Sequence, residues 1–422
     1  MINFSSVKIK YIGTVVTGKT PSTKKASNFG NEYMFVTPSD LFNGYIIKST
    51  ERYLSSSGLQ SISSNTIDGI SVLVGCIGSD MGNVAITTEK CATNQQINAI
   101  TNFKPGINPF YVYYWLLPKK KYLRQIAGCT TTPILPKTTF EEIEITIPEI
   151  HHQNKIVDIL SSIDNKIELN NRIIAELEAM AKTIYDYWFV QFDFPNAEGK
   201  PYRSSGGEMV WNEQLKREIP KGWSVNPLPK HCQIIDCLHS EKPSLVFENE
   251  DYYLLQLDNL IDNGLISLAN KYYVSKEMYE LWTSRIEVVE GDLVITNAGR
   301  VGAITRIPKH VKAGIGRNMT AIRPNDVPAC FLYYFFTSSD IARQIKMNTD
   351  LGSFFGSLNV RGIKELKIIL PPKNMYAILN KFEDYVSPLR SKIELLAQEN
   401  LELTKLRDWL LPMLMNGQVN VE

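Results

Sequence analysis

The sequence predicts an α+β chain in which two tandem, similar α/β-mixed domains are separated by two long antiparallel coiled-coil helices and related by a pseudo-twofold axis. Three observations carry this prediction. The chain is written twice: "ISVLVGCIGSDMGNVAI" (70–86) reads like "GDLVITNAGRVGAI" (291–304), "NQQINAI" (94–100) like "GRNMTAI" (316–322), "FYVYYWL" (110–116) like "FLYYFF" (331–336), and "LPKTTFEEIEITIP" (135–148) like "LNVRGIKELKIILP" (358–371). The offset stays between 220 and 226 residues, and "KIEL" at 166–169 recurs at 392–395, so a whole module is duplicated. Each copy opens with short Val-, Ile-, Thr- and Tyr-rich runs broken by Gly and Asn, the pattern of strands and turns, and each ends in apolar residues stepping by four and three, the seam of a coiled coil.

Residues 1–150 form the first domain. Its opening "YIGTVVTGKTPS" (11–22) satisfies the G-x-x-x-x-G-K-[ST] pattern of a phosphate-binding loop, with Gly13, Gly18, Lys19 and Thr20 in place. A working loop of that kind leads into a helix whose N-terminus faces the phosphates. Here Pro21-Ser22-Thr23-Lys24-Lys25 follows without helical periodicity, and the second copy, "CLHSEKPS" (237–244), loses both glycines. Residues 8–22 are therefore read as a strand and turn. "NPFY" (108–111) resembles the Asn-Pro-Pro-aromatic motif of amino-methyltransferases but lacks the second Pro and any Gly-rich cofactor loop upstream; it reads as a Pro followed by aromatics entering a helix.

Residues 151–190 form the first long helix, its seam running from Ile156 to Trp188 and holding one Asn, Asn170. A seam Asn either fixes register and partner choice or is tolerated at the seam edge. Residues 191–222, rich in Pro, Gly and Ser with balanced charge, read as a surface linker. Residues 223–372 repeat the first domain. Residues 373–422 repeat the helix with a seam from Leu379 to Leu410 that includes Asn400 and Arg407; Pro388 falls inside it and is expected to kink the helix or delay its start. Two such helices in one chain are expected to pair with each other, since the linker supplies a high effective concentration. The aromatic run "YDYWFVQFDF" (185–194) either packs on its own domain or forms a docking surface.

Composition narrows the function. Among 422 residues the net charge is +1, with 14 Lys+Arg against 10 Asp+Glu over residues 1–150 (14 − 10 = +4) and 4 against 6 over residues 151–190 (4 − 6 = −2). A nucleic-acid surface here is a local patch rather than a wholly basic domain. No apolar run reaches the roughly 18 to 20 residues of a membrane span, and no secretory signal is evident, which leads to the expectation of a cytoplasmic protein. The six cysteines are scattered without metal-ligand spacing, and the five histidines are not paired with a nucleophile. No catalytic residue, cofactor-binding residue or metal ligand is expected.

The duplication, the heptad helices and three stretches, "TGKTPS", "TTTPILPKTTFEEIEITIPEIHHQNKIVDILSSIDNKIELNNRII" (130–174) and "EIPKGWSVNPL" (218–228), make the chain similar to the specificity (S) subunits of type I restriction-modification systems. The resemblance covers essentially the whole chain. It implies that 1–150 and 223–372 are target recognition domains and the helices are conserved spacer regions. It further implies that the chain itself is a non-catalytic subunit, reading a bipartite, asymmetric double-stranded DNA target and directing adenine N6 methylation and restriction by others. The implied partners are two modification (methyltransferase) subunits and restriction (translocase/nuclease) subunits. S-adenosylmethionine, ATP and Mg belong to those subunits, and no membrane is involved. A stand-alone duplicated DNA-binding regulator is the alternative.

Under this resemblance the readers are polar loop residues at equivalent places in the two modules, since Arg, Asn and Gln match base edges and Lys, Ser and Thr match phosphates. In the first domain these are Ser79, Asn83, Asn94, Gln95, Gln96, Lys119, Lys120, Lys121, Arg124, Thr131, Thr132 and Lys137. In the second they are Asn297, Arg300, Lys312, Arg317, Asn318, Ser353, Ser357, Asn359 and Arg361. The competing readings are a solvated helix face for Lys119–Lys121, turn capping for Asn94–Gln96, and plain surface polarity for the rest.

Overall fold

The computed structural model describes residues 4–42, 44–128, 133–238, 243–246, 251–351 and 356–419. It divides into two compact units, Met1–Glu168 with Glu402–Glu422, and Leu169–Leu401.

In the first unit, strands Thr14–Thr17, Ile97–Thr101, Ser71–Gly75 and Val84–Thr87 form, in that order, a four-stranded antiparallel sheet. Its β-branched runs are buried on both faces. Val72, Val74, Ile86 and Ile100 pack on Tyr111, Val112 and Trp115 of the helix Pro109–Leu116. Leu73, Ala85, Ile97 and Ala99 face the other way, onto Met34, Val36 and Ile67. This period-two division explains why the strands read as continuous apolar runs rather than as alternation. A second sheet carries Phe29–Val36 parallel to Cys91–Thr93, and Phe4–Lys8 pairs antiparallel with Glu144–Pro148.

The second unit repeats that wiring. Cys232–Asp236, Met319–Pro324, Leu293–Thr296 and Ile304–Arg306 form the four-stranded antiparallel sheet. Tyr253–Leu255 runs parallel to Gly314–Ile315, and Ser224–Pro227 pairs with Lys367–Leu370. The internal repeat of the sequence is thus a repeat of topology in the four-stranded sheet, the parallel pair and the antiparallel pair that precedes each long helix.

Two helices span Ile150–Tyr185 and Ala377–Met415. The first ends in a π-helical turn, Asp186–Val190. The second begins before Pro388 and runs through it as helix, contrary to the expected late start; Phe382, Val386 and Arg390, buried on either side of the proline, hold the helix where propensity alone would end it.

Each unit uses one half of each seam. In the first, Ile156, Val157 and Leu160 share a core with Leu411, Leu414 and Met415. In the second, Ile174 packs with Ile393 and Leu396, and Tyr185 and Trp188 pack with Leu379, Phe382 and Val386. Within the second unit Asn170 meets Asn400 while Glu178 meets Arg390, so the two helices run antiparallel there. The two seam asparagines bond to each other, Asn170 Nδ2 donating to Asn400 Oδ1 at 2.9 Å, which favours the register-fixing reading over the tolerated one.

The aromatic run 185–194 is core rather than surface. Tyr185, Trp188, Phe189, Phe192 and Phe194 are buried in the second unit, with the Phe189 ring edge-on to Phe331 at 4.8 Å and Phe194 stacked on Trp223 at 5.1 Å. The Ser- and Gly-rich stretch after it lies at the surface, whereas the following hairpin, Met209–Asn212 with Arg217–Pro220, returns Ile219 to the same core. The described cysteines are buried and free. Among the described residues no helix is long and apolar enough to cross a membrane.

Candidate nucleic-acid interface

In each unit three separate stretches of chain meet at one end of the four-stranded sheet. In the first unit Cys76 N–H donates to Gln96 O at 2.7 Å, and Leu135 N–H donates to Cys76 O at 2.8 Å. In the second, Asn297 N–H donates to Asn318 O at 2.8 Å and Leu358 N–H to Asn297 O at 2.8 Å. The two junctions therefore have the same hydrogen bonds at equivalent positions. A side-chain bond is also repeated with its partners exchanged. Asn98 Nδ2 donates to Cys76 Sγ at 3.3 Å, and Asn297 Nδ2 donates to Thr320 Oγ1 at 3.0 Å. Burial pushes the Cys76 thiol up to about 12, so its sulfur stays neutral and takes that amide as a weak acceptor.

The loop leaving each junction is shaped by paired glycines. Gly78 and Gly82 have φ of +87° and +85°, and Gly299 and Gly302 have +77° and +82°, values that an L side chain resists. At Gly82 a Cβ would lie 2.9 Å from Cα of Lys120, so the glycine also lets the helix Lys120–Ile126 close onto the loop.

That closure brings four of the predicted readers together. Lys120 Nζ donates to Asn83 Oδ1 at 2.7 Å, and the Arg124 guanidinium bonds the carbonyl of Ser79. Asn94, Gln95 and Gln96 form the adjoining turn: Asn94 Nδ2 donates to Gln96 Oε1 at 2.9 Å, and Asn94 Oδ1 accepts from Gln96 N–H at 3.1 Å. Turn capping and exposure thus coexist there, since Gln95 remains exposed. Lys119 stands apart, its ammonium 5.1 Å from the Trp115 ring. Lys121 is exposed, and Lys137 pairs with Glu141 at 3.6 Å. Thr131 and Thr132 lie outside the described residues.

In the second unit Arg300 reaches back, its guanidinium donating to Leu260 O at 2.6 Å, so it braces the loop. Arg317 and Asn318 are exposed, with Asn318 left-handed at φ +63°. Lys312 pairs with Glu287 at 3.1 Å. Ser357 sits in the short ladder Asp350–Leu351 with Gly356–Ser357, Asn359 caps the helix Val360–Lys364 by accepting from Gly362 N–H at 2.8 Å, and Arg361 is exposed. Ser353 lies outside the described residues.

The sequence reading missed the second layer. "TGKTPS" packs on the 94–96 turn: Gly18 N–H donates to Ile97 O at 3.0 Å, Thr20 Oγ1 donates to Gln95 Oε1 at 2.8 Å, and a Cβ on Gly18 would lie 2.1 Å from Asn94 O. The stretch that mimics a phosphate loop is a brace for the turn, and it leads through the single 3-10 turn Ala26–Asn28 into the strand Phe29–Val36 rather than into an α-helix. Placing the repeats in register, Cys76 over Asn297 and Asn98 over Thr320, is the signal that would have found the junction. For metals, one group among the described residues, Glu149, His151 and His152, brings its ligand atoms within 4.8 Å of one another; the first two are exposed, and His151 lies 3.5 Å from the Glu149 carboxylate as a surface pair.

Comparison with known proteins gives one consistent answer. Residues 1–179 match the family model of the type I restriction modification DNA specificity domain. The chain is 28% identical to the type I restriction enzyme MjaIX specificity subunit of Methanocaldococcus jannaschii, over 98% of this chain and 93% of that one. It is 23% identical to the HindI specificity subunit of Haemophilus influenzae, over 81% and 83%. Its fold is shared with the crystal structure of a type I restriction-modification S subunit from M. genitalium, at a TM-score of 0.59 and 17% identity over 98% of this chain and 96% of that one.

Proposed function

We propose that this chain is a type I restriction-modification DNA specificity subunit and reads its target in two parts, one with each module. The observation that carries this reading is the junction built twice with the same backbone bonds and different side chains: exposed Gln95 between half-buried Asn94 and Gln96 on one, exposed Arg317 and Asn318 on the other. A shared frame with unlike surfaces suits two unlike half-sites, so the target is bipartite and asymmetric with an unread gap. Half-sites read from one side of a duplex lie about one helical turn, on the order of 10 bp, apart.

The cation patch around Lys120, Lys121 and Arg124 suits phosphate contacts, which position a protein without specifying sequence. With a near-neutral chain, tight binding draws on the charges of partner subunits. In this reading two modification subunits dock one per module and methylate adenine N6, and restriction subunits complete the assembly. S-adenosylmethionine, ATP and Mg are bound by those subunits. The assembly acts on DNA in the cytoplasm.

Co-expression with the neighbouring modification subunit, followed by single-molecule mapping of N6-methyladenine across the host genome, tests this. A new two-part motif with a fixed gap is expected. One contiguous short motif, or no new methylation from a soluble complex, would overturn it.

A further inference from the structure

The loop that leaves strand Thr14–Thr17 carries three lysines and no acid. Over residues 18–31 the count is 3 Lys against 0 Asp+Glu (3 − 0 = +3), whereas over the equivalent stretch of sequence, 240–253, it is 1 against 4 (1 − 4 = −3). Lys19, Lys24 and Lys25 are all exposed, and none forms an ion pair or a ring contact among the described residues. Three like charges on one short loop repel one another, and a polyanion relieves that repulsion.

The backbone beneath these lysines is fixed from several sides. Asn28, 5% exposed, donates through Nδ2 to Ser22 O at 2.9 Å, and its own carbonyl accepts from Ser55 N–H at 3.1 Å. Lys25 N–H closes a turn onto Ser22 O at 3.3 Å, and Asn65 Nδ2 donates to Thr17 O at 2.9 Å. A Cβ on Gly58 would lie 1.9 Å from the Asn28 carbonyl oxygen, so the short helix Ser56–Gln60 is pressed against the loop. A loop held in this way loses little backbone entropy on binding, and only the lysine stems remain to be ordered.

The loop also borders the junction. The strand that follows the 94–96 turn, Ile97–Thr101, lies in the sheet between Thr14–Thr17 and Ser71–Gly75, so the loops leaving those two strands flank the turn. Thr20 Oγ1 donates to Gln95 Oε1 at 2.8 Å on one flank; on the other, the Gln96 amide lies 4.0 Å from where a Cβ on Gly78 would stand, and Arg124 bonds the carbonyl of Ser79. Exposed Gln95 thus stands between two sets of cations, Lys19, Lys24 and Lys25 on one side and Lys120, Lys121 and Arg124 on the other. That arrangement suits a duplex groove, whose base edges lie between two rows of phosphates. A free nucleotide fits less well, because the loop leads into a strand and offers no helix N-terminus. Resting on the proposed reading of the chain as a DNA specificity subunit, we propose that Lys19, Lys24 and Lys25 hold backbone phosphates of the half-site read by residues 1–150. The counterpart in the second module, acidic in sequence, makes no such contact, so the two half-sites are held unequally.

The test uses the full chain with its modification subunit, wild type against the triple substitution Lys19→Gln, Lys24→Gln and Lys25→Gln. Lys90→Gln is the control, an exposed lysine beyond Thr87 at the opposite end of the sheet. Affinity for a duplex carrying the mapped methylation motif is measured against salt concentration. Each lost phosphate contact makes the slope of log affinity against log salt shallower by about 1, so the triple variant is expected to lose about 2–3 from the slope and about tenfold or more in affinity, with the motif unchanged. Phosphate-ethylation interference is expected to vanish in one half-site only, and Lys90→Gln to match wild type. All four side chains lie at the surface, and unchanged melting temperatures exclude misfolding. An unchanged slope with the bipartite motif in place overturns the inference and leaves the proposed function standing. A changed motif also overturns it, since phosphate contacts carry no sequence. If the triple variant instead weakens assembly with the modification subunit in the absence of DNA, the lysines meet protein and the inference falls. A wild-type complex that binds no duplex sinks both.

Discussion

Asp164 of the first long helix accepts a hydrogen bond from Arg407 of the second at 2.8 Å, and the same carboxylate accepts the hydroxyl of Tyr114 at 2.7 Å. Asp164 is 4% exposed, so this acid is satisfied by one base and one phenol inside the first unit. In the second unit the signs are exchanged: the buried cation is Arg390, and Glu178 and the Asn263 carbonyl at 3.0 Å supply its acceptors. Placed by the repeat, Asp164 and Arg390 occupy the same position of their helices, since 164 + 226 = 390. Each module thus joins its domain to the helix pair through buried charges, a single acid–base pair in the first and the group Arg390, Arg306, Glu178 and Glu394 in the second.

Removing the base strands the acid. Arg407→Ala is expected to destabilise the chain by about 3 kcal/mol, because the buried Asp164 loses its counter-ion, and Asp164→Ala by less, because Arg407 keeps Asp408 at 2.8 Å. Changing both to leucine together with Tyr114→Phe should recover most of that loss. Urea unfolding of the single variants and of the triple variant measures both; single variants within about 0.5 kcal/mol of wild type would remove the pair from the account.

The opening motif gives a contrast between neighbours. Gly18→Ala drives a methyl group into the Asn94 carbonyl and is expected to cost about 1–3 kcal/mol or more, whereas exposed Lys19→Ala should be nearly neutral. A true phosphate loop would show the reverse functional order, with Lys19 decisive for nucleotide binding. Isothermal titration of the wild-type chain with Mg-ATP is expected to give no saturable binding.

Thiol reactivity follows from burial. Cys76, Cys91, Cys232 and Cys330 are each pushed up to about 12 by loss of solvation, and Cys237 is also raised. The thiolate is the reactive form. At pH 8 the native chain should therefore react rapidly with a thiol reagent at no more than one cysteine, Cys129 being outside the described residues, and at all six once unfolded in urea.

One acid dependence is local. Hydrogen bonds from Lys10 and Lys8 hold the Glu142 carboxyl down at about 2, from an ordinary value of 4.5. A depressed acid contributes stability above its ordinary value that is lost as the pH falls from about 4.5 towards 2. Glu142→Gln should flatten the melting-temperature profile in that window, modestly because the site is exposed, and leave neutral pH nearly unaffected.

How far these features were legible depends on how local their causes are. The duplication, both seams and the asparagine in each seam follow from periodicities that a single chain displays, whereas the bond between Asn170 and Asn400 depends on the register of two helices far apart in sequence. The sheet strands were visible as β-branched runs, although their burial on both faces was not, because it needs Pro109–Leu116 on one side and Phe29–Val36 on the other. Pro388 misled because local helix breaking lost to packing by Phe382, Val386 and Arg390. The aromatic run 185–194 was ambiguous because its partners, Trp223, Phe331 and Phe382, lie far along the chain. Among the predicted readers, Lys120, Asn83, Ser79 and Arg124 converge, and Arg317 and Asn318 are exposed; Lys119, Lys137, Lys312, Arg300 and Asn359 are engaged in local contacts that no spacing rule reveals.

The central claim is that each module reads its own half of a bipartite target. Its most direct test replaces residues 1–150 with the corresponding residues of one of the specificity subunits it is similar to, keeps the remainder of the chain, and maps N6-methyladenine in cells that supply the modification subunit. One half of the motif is expected to change while the other half and the gap stay as they were. A motif altered in both halves, or unaltered in either, would contradict it.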